Sequence, residues 1–177
     1  MRLAAALVLL SLFAACGQSA LERAPAPPSA PPGPVGDFKA QSSTARGITG
    51  DVSIETAGLR FANGVILYTR TLNPRSGGDL IAKSGATYAA SALGPSSLSV
   101  ELRHVVEQVV PGGAVGVCGA TRPAYVALVH DQRATSLTLL VFSGDEPPGR
   151  DATQSHICAT FAFVAPDGAR TREGVLL

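Results

Sequence analysis

Tryptophan is absent from this 177-residue chain, which has only six Phe and three Tyr. Charge is sparse, at 15% of residues, and nearly cancels to a net of +1. Nucleic acids are held by clustered Lys and Arg, so no nucleic-acid surface is expected. Cysteine is rare, with three residues and no CxxC spacing. The three histidines, His104, His130 and His156, lack the short spacing of a zinc site and read as isolated surface or edge residues. The sequence therefore indicates no metal and no cofactor. The nucleophile and metalloprotease signatures GxSxG, SxxK and HExxH are missing. Gly112, Gly113 and Gly116 are not followed by the Lys of a phosphate-cradling loop. Ser143, Asp145 and His156 could be drawn as a triad, but any polar loop would allow that. Asp145 and Glu146, as adjacent residues on an extended chain, point to opposite faces and make a poor carboxylate pair. The chain reads as a non-enzyme.

What is present is unevenly placed. Arg2 is the only charge in residues 1–15, and an apolar run of 13 residues, 3–15, leads to Cys16. As a helix that run spans about 20 Å, against about 30 Å for a bilayer core, so it reads as an export signal. Leu12-Phe13-Ala14-Ala15-Cys16 resembles the bacterial lipobox, although Phe13 stands where that pattern prefers Leu. The resemblance implies a lipoprotein with acyl chains on Cys16, held in the cell envelope with enough lipid for stable attachment. The plainer alternative is a secretory signal cut near Ala15. Gly17, where an Asp would signal inner-membrane retention, favours the outer membrane by analogy.

Six of the 13 prolines lie within residues 24–36, APAPPSAPPGPVG. Proline fixes φ and lacks a donor, so this stretch reads as an extended spacer reaching roughly 40 Å. The expected organisation is a signal peptide at 1–15, a lipidated N-terminus and linker at 16–37, and one domain at 38–177. The domain holds Cys118 and Cys158. In an oxidising compartment an even pair usually forms a disulfide, with thiol or metal chemistry the alternatives.

Period-two patterns dominate the domain. Val52 and Ile54 alternate with polar residues, and 59–62 meets 65–70 through Asn63-Gly64, a strong hairpin signal. A two-residue turn there puts Leu59, Phe61, Ile66 and Tyr68 on one face. Residues 87–92 are read as a possible strand. Residues 97–110 fit a helical stripe or an alternating strand; their valines favour strand, with Val105-Val106 marking a bulge or the point where both faces become buried. Residues 125–130 and 137–142 read as a second hairpin, and 157–165 as the last strand. About eight strands predict an all-β fold, a small antiparallel barrel or sandwich with one disulfide.

Ser84-Gly85-Ala86-Thr87-Tyr88 is similar to the SGxxY motif of the membrane-bound C-type lysozyme inhibitors, although their second motif, YxxxTKG, is absent. The resemblance implies that Ser84 and Tyr88 lie on an exposed loop that contacts protein. The function expected is that of a non-catalytic envelope lipoprotein. Its periplasmic β-domain would bind or support an unknown protein or envelope partner, such as a wall-lytic enzyme. The alternatives are an enzyme of unrecognised type and a carrier of small apolar ligands.

Overall fold

The computed structural model describes residues 33–166. Nine strands form: β1 (Gly36–Ala40), β2 (Val52–Glu55), β3 (Gly58–Phe61), β4 (Ile66–Thr71), β5 (Arg75–Ser76), β6 (Ser99–Val109), β7 (Tyr125–His130), β8 (Ser136–Ser143) and β9 (His156–Val164). All pairings are antiparallel. The order β4-β3-β2-β1-β9-β8-β7-β6 closes through β4 and β6, giving an eight-stranded barrel with β5 appended to β6. Apart from the closing pair β1–β9, each barrel strand pairs with the barrel strands before and after it in the chain. The barrel thus has two distinct ends. At the loop end lie the connections 41–51, 62–65, 110–124 and 144–155. At the terminal end β1 begins, β9 finishes, and the long connection 72–98 departs and returns.

The interior is filled by side chains. Phe38, Phe61, Phe161, Phe163, Leu128 and Leu139 are each at most 2% exposed and belong to one apolar cluster. Eight strands enclose a space just wide enough for such packing. The predicted bulge in the long strand is present: Tyr68 pairs with Glu107 and Thr69 with Val105, leaving Val106 extra on β6. That strand is strand throughout, Ser99–Val109.

The first hairpin forms, but one residue out of the expected register. Phe61 N donates to Val65 O and Gly64 N to Phe61 O, so the loop holds three residues, 62–64. Gly64 takes φ 87°, the bulge position of a three-residue hairpin. Leu59 therefore pairs with Leu67, and Gly58 with Tyr68. A one-residue slip exchanges the faces of a strand. Leu67 is fully buried in the barrel and Tyr68 is 47% exposed outside it.

Residues 72–98 build a second core on the outer face of β6, β7 and β8. Ile81 and Tyr88 pack there on Val100, Leu102, Ala127 and Leu140. This cover explains why β7 is buried at all six positions. The strand expected at 87–92 is instead a short helix, α1 (Tyr88–Ser91). Thr87 caps it, its hydroxyl accepting from Ala90 N at 3.1 Å, which stops the run from extending. β1 starts at Gly36, within the stretch read as linker.

The terminal end of the barrel is polar inside. On β6, Glu101 and Arg103 pair with Leu128 and Val126, both interior residues, and so face inward. Arg103 Nε donates to Glu101 Oε1 at 2.9 Å and its Nη1 to Glu55 O at 2.7 Å.

Candidate functional site

Exposed apolar side chains are concentrated at one end of the molecule. Of nine large hydrophobics exposed among the described residues, seven lie at the loop end. Ile48 is on the 41–51 connection, Tyr68 on β4, Val106 and Val109 on β6, Val110 and Val115 just beyond it, and Ile157 on β9. The other two, Val35 and Leu93, belong to the terminal end. Single exposed hydrophobics need no explanation, but a group around one rim marks an interaction surface.

The chain makes this rim in a legible way. Between Glu107 and Arg122, residues 108–121 (QVVPGGAVGVCGAT) carry no charge. Gly113 and Gly119 adopt φ 85° and 65°, each closing a tight turn that a side chain would strain. The segment is nevertheless fixed at several points. Val117, 2% exposed, packs with the interior cluster, and its N–H donates to Gln108 Oε1 at 3.1 Å. Cys118 is bonded to Cys158 near the start of β9. Pro111 lies against Gly64 of the first hairpin. That hairpin is tied in turn to the 41–51 connection, because Ala62 N donates to Asp51 O at 2.9 Å and Asn63 Nδ2 to Ile48 O at 2.8 Å. Three of the four connections at this end are thus braced together.

Three of the charges near the rim are engaged locally. Lys39 Nζ lies 2.7 Å from Asp51 Oδ2. That bond raises the Lys39 pKa and lowers that of Asp51, so both stay ionised over a wide pH range. Arg122 donates to Val106 O at 3.2 Å. The surface offered mixes exposed apolar side chains with exposed charges such as Arg46, Glu107 and Arg150, and it is the 108–121 segment that is uncharged.

The residues singled out in the sequence are dispersed. The Cys118–Cys158 disulfide forms as expected. Cys16 lies outside the described residues. Ser84 is exposed on the turn that Gly85 makes at φ 89°, beside the 144–155 connection, where Lys83 N donates to Ala152 O. Tyr88 departs from the expected exposed loop. It is 0% exposed, edge-on to Phe142 at 6.3 Å between ring centroids, because α1 turns its ring into the outer core. In this position it offers a partner no surface.

The histidines occupy three settings. His104 lies over Tyr125 on the outer face with 5.2 Å between rings, and His156 is exposed at the loop end. His130 departs from the expected surface position: it is 8% exposed, with Nδ1 2.8 Å from Asp131 O. Ser143 pairs with His156 across β8 and β9. Glu146 is already held by the Thr153 and Gln154 amides, which keep its carboxyl below the usual range. Among the described residues no group of three His, Cys, Asp or Glu is placed to hold a metal ion. The rim has one visible signal in the sequence, the uncharged run at 108–121. Comparison with protein-family models, curated proteins and solved structures finds no match for this chain.

Proposed function

We propose that this protein is a non-catalytic, lipid-anchored component of the bacterial cell envelope, whose barrel binds another envelope component through the apolar rim at its loop end. The observation that carries this reading is the gathering of seven exposed hydrophobics on a braced rim whose 108–121 segment is uncharged. The filled barrel interior supports an outer surface, and not an internal cavity, as the working part. The anchor rests on the lipobox-like run ending at Cys16. The spacer that follows it gives the domain reach into the periplasm, and Gly17, where an Asp would signal inner-membrane retention, favours the outer membrane by analogy.

Two experiments test the two halves separately. Cys16→Ala should shift the protein from the membrane fraction to the soluble one, or leave the precursor uncut. Fractionation identical to wild type would contradict the anchor. A partner retained from solubilised envelopes by the wild-type protein should be lost from Val110→Asp with Val115→Asp. Those positions are 39% and 59% exposed, so the changes leave the core alone. Retention by both proteins would contradict the rim.

A wall-lytic enzyme is the partner class favoured by the SGxxY match, and Ser84 does sit exposed beside a loop-end connection. With Tyr88 buried, such an inhibitor would work through Ser84 and the rim. A C-type lysozyme slowed by the purified protein, and released by the rim substitutions, is the expected result.

A further inference from the structure

Asn63 closes one connection of the loop end and ties it to another. Its Oδ1 accepts from Val65 N at 2.9 Å inside the first hairpin, and its Nδ2 donates to Ile48 O at 2.8 Å on the 41–51 connection. Its own N–H donates to Thr49 O at 3.1 Å. The residue that follows is Gly64, exposed and at φ 87°. That order sets a backbone nitrogen next to a carboxamide, and glycine has no Cβ to hinder an approach between them. The chain has one other asparagine, Asn73, and it precedes Pro74, whose nitrogen carries no hydrogen to give up.

We infer that Asn63-Gly64 is a modification site, where spontaneous deamidation cuts the tie between the first hairpin and the 41–51 connection. The Gly64 nitrogen attacks Asn63 Cγ. An N–Cγ bond forms as Cγ–Nδ2 breaks, and Nδ2 leaves as ammonia with the proton that Gly64 gives up. Water then opens the cyclic imide at either carbonyl, leaving aspartate or isoaspartate at position 63. Either product lacks the NH₂ that Ile48 O accepts from and adds a negative charge beside that carbonyl. The fold slows this chemistry. The Gly64 N–H is donated to Phe61 O at 2.9 Å, both ends of the carboxamide are bonded, and Pro111 lies against Gly64. Attack therefore waits on local opening of residues 62–64. The site is guarded by the same contacts that its reaction removes. Ile48 is one of the exposed hydrophobics of the rim, so the effect on a partner rests on the rim reading. The modification itself does not.

Peptide mapping by mass spectrometry, on full-length protein aged at mildly alkaline pH, tests the chemistry. In urea the Asn63 peptide should convert to its acid and iso-acid forms while the Asn73 peptide keeps its amide. In the native protein the conversion should be at least about tenfold slower, as for a group reached only through local opening. Asn63→Asp tests the consequence, and because Asp-Gly supports the same hairpin the barrel should still fold. Amides of residues 45–51 should then exchange at least about tenfold faster than in wild type, with those of β7 unchanged. The deamidated fraction of aged native protein, separated by its added charge, gives the same reading without a designed variant. An Asn63 amide as durable in urea as that of Asn73, or equal rates in native and unfolded protein, would overturn the guarded site. Wild-type exchange at 45–51 in the acid form would overturn the tie.

Discussion

Tyr88→Ala should cost the domain about 3 kcal/mol or more of stability, as large-to-small core changes do. Tyr88 is the largest fully buried side chain of the described structure and the centre of the outer core. Its removal would leave Phe142 without its edge-on partner and open a void beneath α1. The phenol reaches Pro148 O only at 3.4 Å, so Tyr88→Phe should cost far less. Burial also pushes the Tyr88 phenol up to about 12. Because the folded state holds that proton more tightly than the unfolded chain, its contribution is complete below about pH 10 and declines above it. Between about pH 10 and about 12 stability should fall by an extra 1.4 kcal/mol or so per unit, a slope absent from Tyr88→Phe. Equal alkaline profiles for wild type and Tyr88→Phe would show that Tyr88 is not buried as described.

Replacing Cys118 and Cys158 together with serine should cost about 4 kcal/mol in the chain-entropy picture, since 40 residues separate them. A second effect is expected in the folded protein. Without the bond, residues 110–124 keep Val117 in the interior, the Gln108–Val117 hydrogen bond and Pro111 on Gly64. Those contacts hold the loop less firmly, so amide exchange across 112–121 should accelerate well beyond that of β7 and β8. Denaturant melts give the global cost and hydrogen exchange gives the local one. A double serine variant as stable as the wild type, with a protected loop, would show the bond to be dispensable.

The β class was legible because alternation survives in most strands, and the bulge at Val106 because two adjacent valines cannot both face inward on one regular strand. The even cysteine count, together with the export expected from the N-terminal run, points to the disulfide that forms. The first hairpin forms one residue out of the register that a two-residue turn predicts. Asn63-Gly64 suits a two-residue turn as well as the three-residue loop it forms, and Leu67 in the interior decides between them. Residues 80–93 resist local reading for a different reason. Their Ala, Ser and Gly carry little periodicity, and what places Tyr88 is the outer face of three strands distant in sequence. The same tertiary cover made β7 read as a continuous apolar run. The rim was hidden because exposure is a property of the closed barrel. Val106, Val115 and Ile157 look like core residues until the topology places them at one open end.

The account turns on the loop end being the working face, and site-specific photo-crosslinking in intact cells tests that most directly. A photoreactive residue at Val115, 59% exposed on the rim, would be compared with one at Leu93, 95% exposed at the terminal end. The account predicts a discrete adduct from Val115, lost when Val110→Asp is added, and none from Leu93. Adducts from Leu93 with none from Val115 would contradict it and move the contact surface to the opposite end of the barrel.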